Sequence, residues 1–157
     1  MRLIFLLFTS ILGAADWQLV SVNKIWDQPK HAAFGDLIRW NNRWYATFRE
    51  GQVHAPTKGK TDDGKLRVLS SVDGVKWKNE ARLEEPGVDL RDPHLSITKD
   101  NRLMIVAGGS YYPKGEYKSR QSRVFFSNNA KHWTSPKKVL EDTHWLWRVT
   151  WHKGIAY

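Results

Sequence analysis

Asp36, Asp92 and Arg148 are spaced by 56 and 56 residues, two carboxylates and a guanidinium in one register. Arg91 and His94 flank Pro93 close to the second carboxylate. Carboxylates accept hydrogen bonds from sugar hydroxyls, and a guanidinium offers a planar fork of donors to an anionic group. If the spacing reflects repeated structural units, these side chains converge on one place. Converging polar groups of this kind suit recognition of a sugar through its hydroxyl and carboxylate groups.

A second register shows that the spacing is structural. Arg67-Val68-Leu69-Ser70-Ser71-Val72-Asp73-Gly74-Val75-Lys76-Trp77 returns 56 residues later as Arg123-Val124-Phe125-Phe126-Ser127-Asn128-Asn129-Ala130-Lys131-His132-Trp133. A repeat of this size is one supersecondary unit stacked on copies of itself, and strand-rich units of similar length are propeller blades. Radial repetition brings equivalent positions around one channel mouth, which is where Asp36, Asp92 and Arg148 are expected to meet.

The elements that must carry these residues read as antiparallel strands. Short runs rich in Val, Ile, Trp, Tyr and Phe are separated by Asn41-Asn42, Asp73-Gly74, Lys99-Asp100-Asn101 and Gly108-Gly109, the punctuation of hairpins. The first unit reads as strands over Phe34–Trp40, Arg43–Arg49, Leu66–Ser71 and Lys78–Leu83. The second reads as His94–Thr98, Asn101–Ala107, Ser122–Ser127 and Lys137–Leu140. A third begins with Trp147–Trp151, and Trp17–Trp26 is expected to be an additional strand. The predicted fold is all-β, about two and a half blades of four-stranded antiparallel sheet, with blade one at about 31–84, blade two at about 89–141 and blade three starting near 145. A closed propeller needs at least four blades, so the chain is expected to be the N-terminal piece of a larger protein. The Gly51–Lys65 connection is longer than a strand link requires and is expected to fold over the channel mouth.

Composition narrows the chemistry. No cysteine is present, which excludes thiolate catalysis and cysteine-based zinc sites. Six histidines include no helical i, i+4 pair, and Thr61-Asp62-Asp63-Gly64 lacks the later ligands of a calcium loop. Neither a metal nor another cofactor is expected. Ser110 follows two glycines without the flanking pattern of a nucleophile elbow. Residues 1–15 combine Met1-Arg2, an apolar run from Leu3 to Leu12 and a small-residue end at Gly13-Ala14-Ala15. That order reads as a secretory signal, leaving residues 16–157 as the mature domain, secreted or periplasmic and free of the membrane after cleavage. The net charge of +9 suits acidic glycans. The scattered lysines of an exported protein do not fit nucleic acid.

Ser71-x-Asp73-Gly74-x-x-Trp77 and Ser127-x-Asn129-Ala130-x-x-Trp133 resemble the Asp box, or BNR repeat, of the sialidase (neuraminidase) superfamily. The first copy is shortened by one residue between Asp and Gly, and the second has lost both. His31 to Ile38 with Trp44 to Gly51 looks like the opening blade of such propellers, and Asp89-Leu90-Arg91-Asp92-Pro93 like the entry to their second blade. The resemblance implies a six-bladed propeller that hydrolyses terminal sugars of a glycan, in the manner of an exo-α-sialidase. It places Arg49 where the family often has an arginine and Asp92 at a sugar-contacting position. Asp63 or Asp62 becomes the nearest candidate for the acid/base, with His54 as an alternative. The family's Tyr and Glu nucleophile pair would lie beyond Tyr157. Where the family has its first carboxylate-clamping arginine, this chain has Ala33-Phe34-Gly35-Asp36, which departs from a sialic-acid site. The expected substrate-binding set is Arg49, Asp92, Arg148, Asp36 and Arg91. Two other functions share this architecture: a polysaccharide lyase drawing on His31, His54, His94 or Tyr111, and a glycan-binding propeller with no catalysis.

Overall fold

A computed structural model describes residues 18–58 and 63–157. The expected signal segment and Asp62 lie outside those residues. Each unit forms the four-stranded antiparallel sheet that the repeat predicts. Sheet one runs in order through β1 (His31–Trp40), β2 (Arg43–Gly51), β3 (Lys65–Ser71) and β4 (Lys78–Leu83). Sheet two runs through β5 (Asp89–Ile97), β6 (Leu103–Tyr111), β7 (Ser119–Ser127) and β8 (Lys137–Val139). A short hairpin, β9 (Trp151–His152) and β10 (Ile155–Ala156), follows. The described residues contain no α-helix, only a 3-10 turn at Pro113–Gly115. This is a partial β-propeller-like fold.

Burial explains the strand sequences. The second strand of each sheet, β2 and β6, is covered on both faces, as expected for a sheet stacked between neighbours, and so β6 reads as a continuous apolar run rather than an alternating one. The shared core lies between the sheets. Tyr45, Leu66 and Val68 of blade one meet Leu95, Ile105 and Phe125 of blade two there. The equivalent outward face of blade one, Ala46, Phe48 and Leu69, carries Trp26 and Trp77. The far face of blade two, Met104, Val106 and Val124, is covered by Leu146, Val149 and Trp151.

Both turn boxes close in the same way. Asp73 Oδ1 accepts the amides of Val75 (2.9 Å) and Lys76 (2.8 Å), and Ser71 Oγ accepts that of Gly74 (2.9 Å). In blade two, Asn129 Oδ1 accepts from Lys131 (3.0 Å) and His132 (2.9 Å), and Ser127 Oγ from Ala130 (2.9 Å). Each indole donates to the carbonyl at the left-handed position, Trp77 to Gly74 and Trp133 to Ala130, where φ is +74° and +63°. An amide therefore substitutes for the carboxylate, and alanine carries a conformation that glycine adopts without strain. Both tryptophans are half-buried rather than fully buried as a gap-filling role between sheets would suggest.

The Lys76 and Val75 amides and the Ser71 hydroxyl hold the Asp73 carboxyl down, from its ordinary 3.8 to about 2. Its turn thus contributes stability at pH values above the ordinary range, and that contribution is lost as pH falls through about 2. Asp73→Asn, which copies blade two, is expected to leave the melting temperature at pH 7 nearly unchanged and to flatten its decline between pH 4 and 2. Melting curves across that range check this. An unchanged acid slope would mean that the turn's titration is not coupled to folding.

Two strand expectations change. Residues 18–26 pair with no strand. Trp26 instead packs on blade one's outward face, with the Arg67 guanidinium 4.9 Å from its ring centroid. The strand expected at Trp147–Trp151 contracts to the two-residue β9, because the preceding segment is anchored by side chains to blade two.

A second repeated feature changes its wiring between the blades. Arg67 forms a fork with Glu50 of its own sheet, Nε–Oε2 3.0 Å and Nη2–Oε1 2.6 Å. Its counterpart Arg123 forms the same fork with Glu85, in the connection between the blades (2.8 and 3.1 Å). Strand register puts Gly109 where blade one has Glu50. A β-carbon at Gly109 would lie 2.7 Å from Arg123 Nε, so the arginine fills the space that a side chain would need.

Candidate functional site

The innermost strands β1 and β5 are each broken by a bulge, between Ala33 and Asp36 and between Arg91 and His94. Each bulge contains a left-handed residue, Phe34 at φ +58° and Asp92 at +46°. A bulge inserts an extra residue and re-aims the side chains beside it. The register makes His94 the counterpart of Asp36, and Asp92 the counterpart of Phe34. The expected equivalence of Asp36 and Asp92 is thereby corrected. The inner strands run two residues out of step with the turn boxes because blade one's β2–β3 connection is about three residues longer than blade two's β6–β7 connection, while its β1–β2 turn is one residue shorter than the β5–β6 turn.

The bulges nevertheless bring the predicted residues together. Asp36 Oδ2 accepts the Leu95 amide across the blade boundary (2.8 Å), and its Oδ1 receives Arg148 Nη2 (2.8 Å). His94 Nδ1 stands 3.6 Å from Asp36 Oδ2 and 3.4 Å from Arg148 Nη2. The ring of Trp147 lies 5.1 Å from that of His94, and Trp147 is 59% exposed. The Arg148 side chain is 54% exposed, while that of Asp36 is 9% exposed. An open aromatic face thus stands beside a half-open guanidinium, with a fixed carboxylate and an imidazole beneath them.

Next to this cluster lies a buried ionic one. Arg49 and Asp89 have no exposed side-chain surface and form an ion pair at 2.7–2.8 Å. Gly64 donates its amide to the same carboxylate oxygen (2.9 Å). A β-carbon at Gly64 would collide with Asp89 and Arg49, so only glycine fits. Arg91 Nε stands 3.2 Å from the other Asp89 oxygen. Its guanidinium also donates to the His54 carbonyl and lies 5.9 Å from the Phe34 ring centroid. Burial outweighs both guanidiniums and pushes the Asp89 carboxyl up. The His54 ring meets His31 at 5.2 Å and Phe34 at 5.5 Å. Burial first, and then the neighbouring Arg49, His54 and Arg91 side chains, lower the affinity of His31 for a proton.

Asp92 feels charges from both clusters. Its Oδ1 is buried without a hydrogen-bond partner among the described residues. Burial pushes its carboxyl up, against the opposing pull of Arg91, His94, Arg49 and His54. Its surroundings, like those of Asp89, favour the protonated form relative to a free carboxyl.

Asp36, Arg148, Arg91, Asp92 and His54 therefore share one end of the inner strands. Arg49 lies beneath that surface as a support for the Asp89 pair. Asp63 is directed elsewhere: its carboxylate accepts the Gly87 amide (2.9 Å), and it borders the Glu50–Arg67 cleft. Sequence reasoning missed Asp89 as the partner of Arg49. The alternation of a strand held the signal, since Asp89 and Arg91 share a face. The described residues contain no cluster of side chains able to hold a metal ion.

No protein-family model matches the sequence, and no curated protein does. Solved structures do. A protein of unknown function from Dyadobacter fermentans matches at TM-score 0.57 and 20% identity, over 72% of this chain and 38% of its own. A glycosyl hydrolase from Bacteroides ovatus matches at TM-score 0.47 and 19% identity, over 66% and 30%. A structure described with the GH130 mannoside phosphorylases and glycoside hydrolases matches at TM-score 0.48 and 18% identity, over 69% and 31%. This chain spans about a third of the length of those proteins. The first of these similarities supports the fold alone, the pair of four-stranded antiparallel sheets.

Proposed function

We propose that this chain is part of a carbohydrate-active protein, an exo-glycosidase of sialidase-like design acting on terminal sugars outside the cytoplasm. The observation that carries this reading is the exposed Trp147 ring beside the Asp36–His94–Arg148 cluster, with a half-buried Asp92 nearby whose carboxyl is pushed up by burial. Pyranose rings present C–H faces that pack on an indole, while their hydroxyls need fixed donors and acceptors. Trp147 supplies the platform. Asp36 and His94 accept or donate to hydroxyls, and the solvent-facing part of Arg148 takes an acidic group on the sugar. Asp92 protonates the glycosidic oxygen as its bond to the terminal sugar breaks.

A panel of terminal-sugar glycosides, both α-sialosides and uncharged sugars, tests the reading on the protein that carries this chain. Arg148→Ala is expected to raise KM for an acidic sugar by roughly tenfold to a hundredfold, the value of a hydrogen bond to a charged group. Its effect on a neutral sugar should be smaller. Binding without turnover would assign the site to a glycan-binding propeller. Failure to bind or cleave any member of the panel would end the carbohydrate reading.

A further inference from the structure

Gly108 and Gly109 stand side by side near the end of β6, a strand buried on both faces. Two glycines there give up side-chain packing and cost backbone entropy. Gly109 makes room for Arg123. The space above Gly108 belongs to a different residue. A β-carbon on Gly108 would lie 2.1–2.4 Å from Cη2, Cζ2 and Cζ3 of Trp145, overlapping the far edge of the indole. The indole rests directly on the backbone of the strand.

The chain on both sides of that indole is fixed to blade two. Thr143 donates its amide to the Arg120 carbonyl (2.7 Å), and the Arg120 guanidinium lies 5.7 Å from the Trp145 ring centroid. Leu146 donates its amide to Ser122 Oγ (2.8 Å), and that hydroxyl lies 3.4 Å from the His144 carbonyl. Beyond Arg148, Val149 and Trp151 pack on blade two, and Trp151 Nε1 bonds Ser96 Oγ (3.1 Å). Trp147 and Arg148 form a short span between these anchors. Their own contacts in the cluster are the His94 ring and the Asp36 carboxylate.

We infer that Gly108 is a positioning residue for the sugar site: by admitting the Trp145 indole against the strand, it sets where Trp147 and Arg148 stand over Asp36 and His94. The inference rests on the proposed function for its link to sugar binding, but its geometric part can be measured separately. Any side chain at position 108 lifts the indole, and the displacement is passed within three residues to the platform and the guanidinium. Displacements of about an ångström in a binding constellation cost up to roughly a hundredfold.

The experiment uses the full protein with three substitutions: Gly108→Ala, Trp145→Ala, and the double Gly108→Ala/Trp145→Leu. One readout is the chemical shift of the His94 ring protons, displaced in the parent by the neighbouring Trp147 ring. The other is affinity for the best glycoside of the panel. Gly108→Ala and Trp145→Ala are expected to move the His94 shifts toward random-coil values and to weaken binding roughly tenfold or more. The double variant, whose smaller side chain clears the new methyl, is expected to recover part of both. If Gly108→Ala does not fold, Trp145→Ala carries the test, since it removes the seated ring and leaves the strand intact. Unchanged His94 shifts in every variant that folds would overturn the inference. Shifts that move while affinity for every glycoside stays at the parent value would uphold the seat and overturn the sugar site.

Discussion

Asp92→Asn lowers kcat by on the order of a hundredfold to ten-thousandfold, the usual cost of removing a general acid, while the melting temperature holds or rises. Both halves of this expected result follow from one observation. Burial raises the Asp92 carboxyl, and its Oδ1 has no hydrogen-bond partner among the described residues. A group whose folded-state pKa is raised binds its proton more tightly in the native state, so it costs stability as pH rises through that raised value. Asparagine keeps the shape, carries no charge and removes that cost, but it has no proton to give to a leaving group. Parent activity should fall on the alkaline side as Asp92 loses its proton. Steady-state kinetics with the preferred glycoside, beside a thermal melt, separates the roles. A variant with full activity and a lowered melting temperature would make Asp92 a structural residue.

Asp89→Ala is expected to destabilise the protein by about 3–5 kcal/mol, the range for removing one partner of a buried ion pair. The cause is what would be left behind. Arg49 has no exposed side-chain surface, and without Asp89 its guanidinium keeps, among the described residues, the Val53 carbonyl at 3.0 Å. The Gly64 amide loses its acceptor as well. Asp89→Asn keeps an oxygen for both donors and should cost markedly less. Denaturant unfolding of the two variants gives the comparison. A loss below about 1 kcal/mol for Asp89→Ala would place the pair in the class of solvent-screened bridges. Because Arg91 reaches both Asp89 and the His54 carbonyl, the alanine variant should also loosen the loop that carries His54.

The blades could be read in the sequence because their signals are local. Strand alternation, the Asn41-Asn42 turn and the Ser71-to-Trp77 box each depend on residues within a few positions. The same locality explains the errors. A constant period of 56 holds for the boxes but not for the inner strands, which differences in the connecting loop and hairpin turn move by two residues, making His94 the counterpart of Asp36. Pairs such as Arg49 with Asp89, or Asp36 with Arg148, join residues far apart in the chain. Their residue types showed that partners were needed, but only the packed sheets show which partners. The resemblance points to Asp63 because of its place in the loop after the second strand, and its bond to Gly87 is not readable from composition. Trp17–Trp26 has the residue types of a strand, but residues 18–26 pair with no strand among the described residues.

The two arginine forks have a consequence for the order in which the chain assembles. Blade one satisfies Arg67 with Glu50 from the adjacent strand, so its wiring is complete as soon as its own four strands meet. Blade two cannot close around Arg123 by itself, because its carboxylate, Glu85, arrives on the segment that leaves blade one. A buried guanidinium without its partner is costly, so the second sheet matures only where the first already presents that segment. During synthesis this gives these two sheets an order from N-terminus to C-terminus: the segment that leaves the first supplies the counter-ion of the second. Duplicated units wired in this way have lost their interchangeability, and exchanging the order of the two blades would leave one arginine without a partner.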